Sequence, residues 1–290
     1  MKNIIEFIGN TPLVKIQRLN PNPKVQLLAK LEGTNPGGSV KDRAALNMIK
    51  SALERGNIRK GTKLIEATSG NTGIALAMIA SMYDLEIELV IPSNSTRERT
   101  LTMEAYGAKV TLLDSMEVCR DYAEERGEQE GYFLLNQFAN PDNYLAHYNT
   151  TGPEIWTDTE GKITHFVSAM GTTGSIMGNS MYLKEKNSDV QIIGCQPTEE
   201  SSIPGIRRWP VEYLPKIFDP KRVDRVMDVS ERDAVEATRK LAKVEGIFAG
   251  MSTGGALHCA LKVAEELDEG VIVFIACDRG DRYLSSNLFG

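Results

Sequence analysis

The sequence predicts an α/β protein with parallel-rich, twisted sheets flanked by helices. Short apolar runs rich in β-branched residues alternate with longer helical ones along the 290 residues. Several of those runs end in loops of glycine and hydroxyl residues that open directly into helical sequence. The hydrophobic content of 41% also suffices for a substantial core. The strand-like runs are Val25–Leu31, Lys63–Ala67, Ile87–Pro92, Val110–Leu113, Phe166–Met170, Gln191–Gln196 and Val271–Cys277. The length suits one large or two closely joined domains, and the residues alone place a split near Asn143–Gly152. No internal repeat or low-complexity segment interrupts the pattern.

After the first strand comes Asn35-Pro36-Gly37-Gly38-Ser39-Val40-Lys41-Asp42-Arg43. Proline and two glycines allow a tight backbone path, and Ser39 reads as a cap for the helical run that follows, so Lys41 falls in a first helical turn. There the helix dipole disfavours a cation, and a lysine of lowered pKa is able to attack a carbonyl. On this segment alone, an ordinary solvated ion pair with Asp42 is as good a reading.

The strand at Lys63–Ala67 leads into Thr68-Ser69-Gly70-Asn71-Thr72-Gly73 and then the helical Ile74–Ala80. This run of small and hydrogen-bonding residues exceeds what a cap requires, and it suits a carboxylate or another anion. The strand at Phe166–Met170 is followed by Gly171-Thr172-Thr173-Gly174-Ser175, again before a helix. That loop lacks the Gly-Lys-Ser/Thr ending of a Walker loop and the dinucleotide fingerprint, so a small phosphate-bearing cofactor fits it better than a nucleotide. A fourth loop, Gly250-Met251-Ser252-Thr253-Gly254-Gly255, is by itself more readily a cap and turn.

The 33 lysines and arginines against 39 acidic residues give a net charge of −6 without a basic run, which argues against nucleic acid. No apolar stretch is long enough to span a bilayer, and Lys2, Glu6 and Lys15 interrupt the N-terminal apolar residues. The reading is a cytoplasmic protein without membrane contact. Cys119, Cys195, Cys259 and Cys277 are widely spaced, and His147, His165 and His258 lack ligand spacing, so neither a disulfide framework nor a metal site is indicated.

Taken together the four loops resemble those of the cysteine synthases, specifically the B-type O-acetylserine sulfhydrylases, fold-type II enzymes that use pyridoxal 5′-phosphate. The resemblance runs from Ile8-Gly9-Asn10-Thr11-Pro12 to Cys277-Asp278-Arg279-Gly280-Asp281-Arg282-Tyr283. It implies a tryptophan synthase β-like architecture of two α/β domains with the cofactor in the cleft between them. The smaller domain would span 35–145, with 87–131 its mobile part, and the larger would comprise 1–34 and 146–290.

By the same resemblance, Lys41 is the Schiff-base lysine and the general base. Asn71 partners the cofactor's ring hydroxyl oxygen, Gly171, Thr172, Thr173, Gly174 and Ser175 form the phosphate cup, and Ser252 bonds the pyridine nitrogen. Thr68, Ser69, Gly70 and Thr72 hold the substrate carboxylate. Arg207, Cys277 and Asp278 line a polar entrance associated with accepting thiosulfate as well as sulfide; solvated loop residues and a buried strand cysteine are the plainer readings of these positions.

The implied reaction is β-replacement through an aminoacrylate. O-acetyl-L-serine and sulfide give L-cysteine and acetate, and thiosulfate gives S-sulfocysteine. A homodimer, an association with serine acetyltransferase, and a short tail beyond Leu288-Phe289-Gly290 are further family expectations. O-phosphoserine sulfhydrylases, cystathionine β-synthases and serine or threonine dehydratases share the lysine, asparagine and phosphate loops. A non-catalytic binding protein of the same fold is more remote, and a nicotinamide enzyme lacks its fingerprint here.

Overall fold

The computed structural model describes residues 1–68 and 70–290; Ser69, an expected carboxylate contact, lies outside the described residues. The strands are β1 (Leu13–Lys15), β2 (Val25–Leu31), β3 (Lys63–Ala67), β4 (Glu86–Pro92), β5 (Lys109–Leu113), β6 (Tyr132–Leu134), β7 (His165–Ala169), β8 (Gln191–Pro197), β9 (Arg225–Val229) and β10 (Gly270–Ala276). The α-helices are α1 (Lys41–Glu54), α2 (Asn71–Met82), α3 (Arg97–Ala105), α4 (Met116–Gly127), α5 (Pro141–Ala146), α6 (Gly152–Asp158), α7 (Gly174–Lys186), α8 (Glu231–Lys240) and α9 (Met251–Glu266).

Two sheets form. A six-stranded sheet has the order β1-β2-β10-β7-β8-β9, and a four-stranded sheet the order β5-β4-β3-β6. Every pairing is parallel except β1 on β2, where Leu13 faces Lys30. Parallel strands need helical crossovers, which cover both faces and make the strands near-continuously apolar.

The side-chain alternation of the larger sheet assigns each face to a helix group. Leu27, Val167, Ile193, Ile272 and Phe274 pack with Leu257, Ala260 and Val263 of α9, whereas Leu28, Phe166, Ile192 and Val273 pack with Ile176 and Leu183 of α7. In the smaller sheet, Leu64 and Leu89 face Met48 of α1 and the apolar residues of α2, while Ile65 and Val90 face Met116, Cys119 and Ala123 of α4. Helix α2 is buried from Thr72 to Ala80, which explains its lack of a polar stripe.

Every strand expected from the sequence is present within a residue or two of its bounds. The short edge strands β1 and β6 and the exposed, charged β9 carry no period-2 apolar pattern and escaped that reading. Strand β10 ends at Ala276, and Cys277 leaves the sheet with its N–H bonded to Thr253 Oγ1 at 2.9 Å. Among the described residues, no helix is long and apolar enough to cross a membrane.

Candidate active site

A cleft whose empty space, open solvent at its mouth included, is about 780 Å³ opens between the C-terminal ends of the two sheets and the helix starts that follow them. Lys41 is the first residue of α1 and lies on its wall. The cap differs from the expected one: Val40 occupies the N-cap position, and the Ser39 hydroxyl accepts the Lys41 N–H at 3.2 Å. Val40 N–H bonds Cys277 O at 2.8 Å, and Ser39 bridges to Asp278, so the lysine turn is pinned to the end of β10. Burial pushes the Lys41 amine below its ordinary value, against the opposing influence of Cys277, Asp278 and Glu32. Its Nζ has no hydrogen bond or ion pair among the described residues, so the solvated pair with Asp42 does not form.

Thr68, Asn71 and Thr72 reach the cleft from the β3–α2 junction. Gly70 caps α2 with φ 147, and a Cβ there would lie 2.5 Å from Arg99 Cδ, so a larger residue would be excluded both by strain and by space. The opposite wall carries Gly171, Thr172 and Ser175 at the start of α7, with Thr173 held in the left-handed region at φ 69. The backbone N–H groups of 172–175 find no backbone acceptor among the described residues, and the buried hydroxyls of Thr173 and Ser175 have no partner. A Cβ on Gly171 would lie 2.8 Å from Gly205 O, so the loop is a close-packed ring of unused donors, the arrangement a phosphate fills.

Ser252, in the first turn of α9, is buried on the cleft wall, and the Cys277 thiol beside it donates to Ile275 O at 3.6 Å. Burial raises that thiol to about 11, so it remains protonated. Arg207 lines the mouth; its guanidinium has no hydrogen bond or ion pair among the described residues, whereas its neighbour Arg208 turns outward to Asp228 at 2.6 Å. Asp278 stands apart from the entrance group expected for it. It is 2% exposed, lies behind Asn71, and accepts from Asn71 Nδ2 at 2.6 Å and Tyr283 Oη at 2.7 Å.

The sequence reading missed Gln137, Arg99 and Trp209. Gln137 accepts from Thr72 Oγ1 at 2.8 Å and donates to Ala67 O at 2.7 Å, which places it beside the anion loop. Trp209 donates to Gly171 O at 2.7 Å and meets Phe138 edge-on, and Arg120 of α4 lies 4.3 Å from the centre of that Phe138 ring. These contacts join distant segments, and no local pattern announces them. Arg99 and Arg207 supply positive charge to the cleft, and no carboxylate lines it among the described residues.

An amine of lowered pKa facing a donor-lined phosphate cradle defines an enzyme class built on a phosphate-bearing carbonyl cofactor. The chain belongs to the pyridoxal-phosphate dependent enzymes, whose family model matches residues 4–278. It is 57% identical to a cysteine synthase B of Pseudomonas aeruginosa over 289 residues, 99% of this chain and 97% of that one. It is 55% identical to a cysteine synthase B of Escherichia coli, covering 100% of this chain and 97% of the other. The solved structure of a cysteine synthase from Entamoeba histolytica superposes with a TM-score of 0.93 at 35% identity, covering 100% of this chain and 90% of that one.

Proposed function

We propose that this enzyme performs β-replacement on O-acetyl-L-serine, releasing acetate and forming L-cysteine with sulfide. The observation that carries the reading is the cleft itself: one uncommitted lysine among anion-binding hydroxyls and amides, in a protein of net charge −6 whose cleft presents no described carboxylate. Pyridoxal phosphate supplies the electron sink for breaking the Cα–H and Cβ–O bonds.

The 171–175 loop anchors the phosphate with its N–H groups and the Thr173 and Ser175 hydroxyls. Ser252 would offer a neutral hydroxyl to the pyridine nitrogen, and Asn71 would hold the ring oxygen. Lys41, whose amine burial pushes below its ordinary value, would hold the cofactor at its carbonyl carbon and would be placed to take the substrate's Cα proton at its Nζ. The substrate carboxylate lies on Thr68, Ser69, Gly70 and Thr72, with Gln137 beside them. Arg207 offers the anion site at the mouth and favours thiosulfate as a second donor giving S-sulfocysteine, with Cys277 at the same entrance.

The domains are 35–145 and 1–34 with 146–290, and segment 87–131 closes over bound substrate to exclude water. The stacking of Arg120 on Phe138 and its bond to Tyr213 O at 2.8 Å support a closed arrangement of that segment. A cytoplasmic homodimer completes the reading.

The test is the visible spectrum of the pyridoxal-phosphate-loaded protein before and after O-acetylserine. A shift to longer wavelength that sulfide or thiosulfate reverses, with cysteine or S-sulfocysteine released, is the expected result. A loaded protein whose band ignores O-acetylserine would overturn the substrate, and a Lys41→Ala protein that still turned over would overturn the role of the lysine.

A further inference from the structure

We propose that Asp278 and Arg282 are positioning residues that lock the Asn71 amide so that it presents an N–H, and not its oxygen, to the cofactor ring. The argument begins with the amide's two partners. Asn71 Nδ2 lies 2.6 Å from Asp278 Oδ2, and Arg282 Nη1 lies 2.5 Å from Asn71 Oδ1. An ionised carboxylate only accepts and a guanidinium only donates, so turning the amide over would set oxygen against oxygen and N–H against N–H. The orientation of most asparagines is a matter of inference, but between these two groups only one is tenable. The second Nδ2 hydrogen has no acceptor among the described residues, and Asn71 lines the cleft.

The clamp is rigid. Asp278 and Arg282 are 2% and 7% exposed, and Tyr283 Oη holds Asp278 Oδ2 at 2.7 Å. Arg282 also donates to Gly37 O, and its own carbonyl accepts from Thr96 Oγ1 at 3.2 Å. Asp278 is tied through the Ser39 bridge to the turn that carries Lys41. Neutral side chains would fill this space at less desolvation cost than a buried aspartate and arginine, so packing alone does not account for the pair. An N–H aimed at the ring oxygen favours its deprotonated form, because that form accepts and has no proton to place. The clamp therefore tunes the charge of the ring through a residue that itself stays neutral.

The inference rests on the proposal that Asn71 faces the ring, and the experiment separates the two. Full-length protein and the variants Asn71→Ala, Asp278→Asn, Arg282→Met and Arg282→Lys are titrated with pyridoxal phosphate, following tryptophan fluorescence for the dissociation constant and the visible band for ring charge. Asn71→Ala, Asp278→Asn and Arg282→Met are expected to weaken binding by about tenfold to a hundredfold and to move the band in the same direction, the size expected for one charge-assisted hydrogen bond. Arg282→Lys, which keeps a cationic donor, is expected to stay within about threefold of the parent. A changed Asn71→Ala protein beside unchanged Asp278→Asn and Arg282→Met proteins overturns the clamp. An unchanged Asn71→Ala protein overturns it at its premise. Should Asp278→Asn fail to fold, the contrast between the two Arg282 variants decides.

Discussion

Replacing Gly174 with alanine tests whether the phosphate loop is as close-packed as it looks. The added Cβ would overlap Asn143 Oδ1 and lie 2.5 Å from its Cγ. Asn143 is 2% exposed and cannot swing aside freely, because its Nδ2 donates to Gln137 O at 2.7 Å and to Thr172 Oγ1 at 3.2 Å. Losing those two bonds costs about 2 kcal/mol, and residual overpacking adds about 1–3 kcal/mol. The total of about 3–5 kcal/mol corresponds to at least a hundredfold loss of pyridoxal-phosphate affinity if it falls on the loaded loop. The assay is a double-mutant cycle with Asn143→Ala, reading denaturant midpoints and the cofactor dissociation constant. Asn143→Ala forfeits its bonds but makes room, so the double variant should cost no more than Asn143→Ala alone, with a coupling as large as the Gly174→Ala penalty, about 3–5 kcal/mol. Strictly additive losses, or a Gly174→Ala protein within about 0.5 kcal/mol of the parent, would refute the reasoning.

Glu66 is fully buried on β3 with Oε2 unpartnered among the described residues, and burial raises its carboxyl to about 8 despite the Gln137 N–H that its Oε1 accepts at 3.2 Å. Because the folded pKa lies above the unfolded one, stability falls as pH rises from 4.5 towards 8. Glu66→Gln should therefore recover about 4 kcal/mol at pH 8 and nothing at pH 4; an unchanged pH slope in denaturant titrations would exclude this. Arg43→Leu leaves Glu32, at 0% exposure, without the partner it has at 2.7 Å, and should cost about 3–5 kcal/mol by chemical denaturation. Burial alone would raise the Glu154 carboxyl, but Arg43, Asn10 N–H and Lys30 outweigh it and hold it at about 2. Its contribution is present above pH 4.5 and lost as pH falls towards 2, and Arg43→Leu should flatten that acid limb. Ser252→Asp should stabilise a protonated ring, slow loss of the β-substituent and raise side reactions, read as pyridoxamine phosphate accumulating with O-acetylserine; unchanged partitioning would count against the neutral-hydroxyl argument.

The loops that open helices were legible because glycine and hydroxyl residues at a strand-to-helix junction are a local signal, and Lys41, Asn71, Thr172 and Ser252 all reach one cleft. The residues that complete it were not. Gln137 joins the anion loop from a connection more than sixty residues downstream of it, Trp209 meets Gly171 from another, and Asp278 is aimed away from the entrance by a bond to Asn71, 207 positions earlier. Such pairings are set by how two sheets come together, which no period of 2 or 3.6 encodes. The edge strands β1, β6 and β9 were missed for the opposite reason: with one neighbour and little burial, they need no apolar alternation.

The electrostatics of the cleft follow from where these helices begin. Lys41 opens α1, Asn71 and Thr72 open α2, Ser175 lies in the first turn of α7 and Ser252 in that of α9, and all of them line one space. Each helix start carries partial positive charge and unpaired N–H groups. At three of them the chain places neutral donors, so the field is left to attract the anionic groups of cofactor and substrate. At the fourth it places a lysine, whose protonation the same field and the same burial oppose. One geometric device therefore both gathers the anions and holds the reacting amine's pKa below its ordinary value. Moving a carboxylate onto that wall, as Thr72→Asp would, should undo both effects together: lysine protonation would become favourable and the substrate carboxylate would be repelled. Loss of cofactor bonding and a raised KM for O-acetylserine in the same variant is the expected signature, and a change in only one of them would show that the two effects have separate origins.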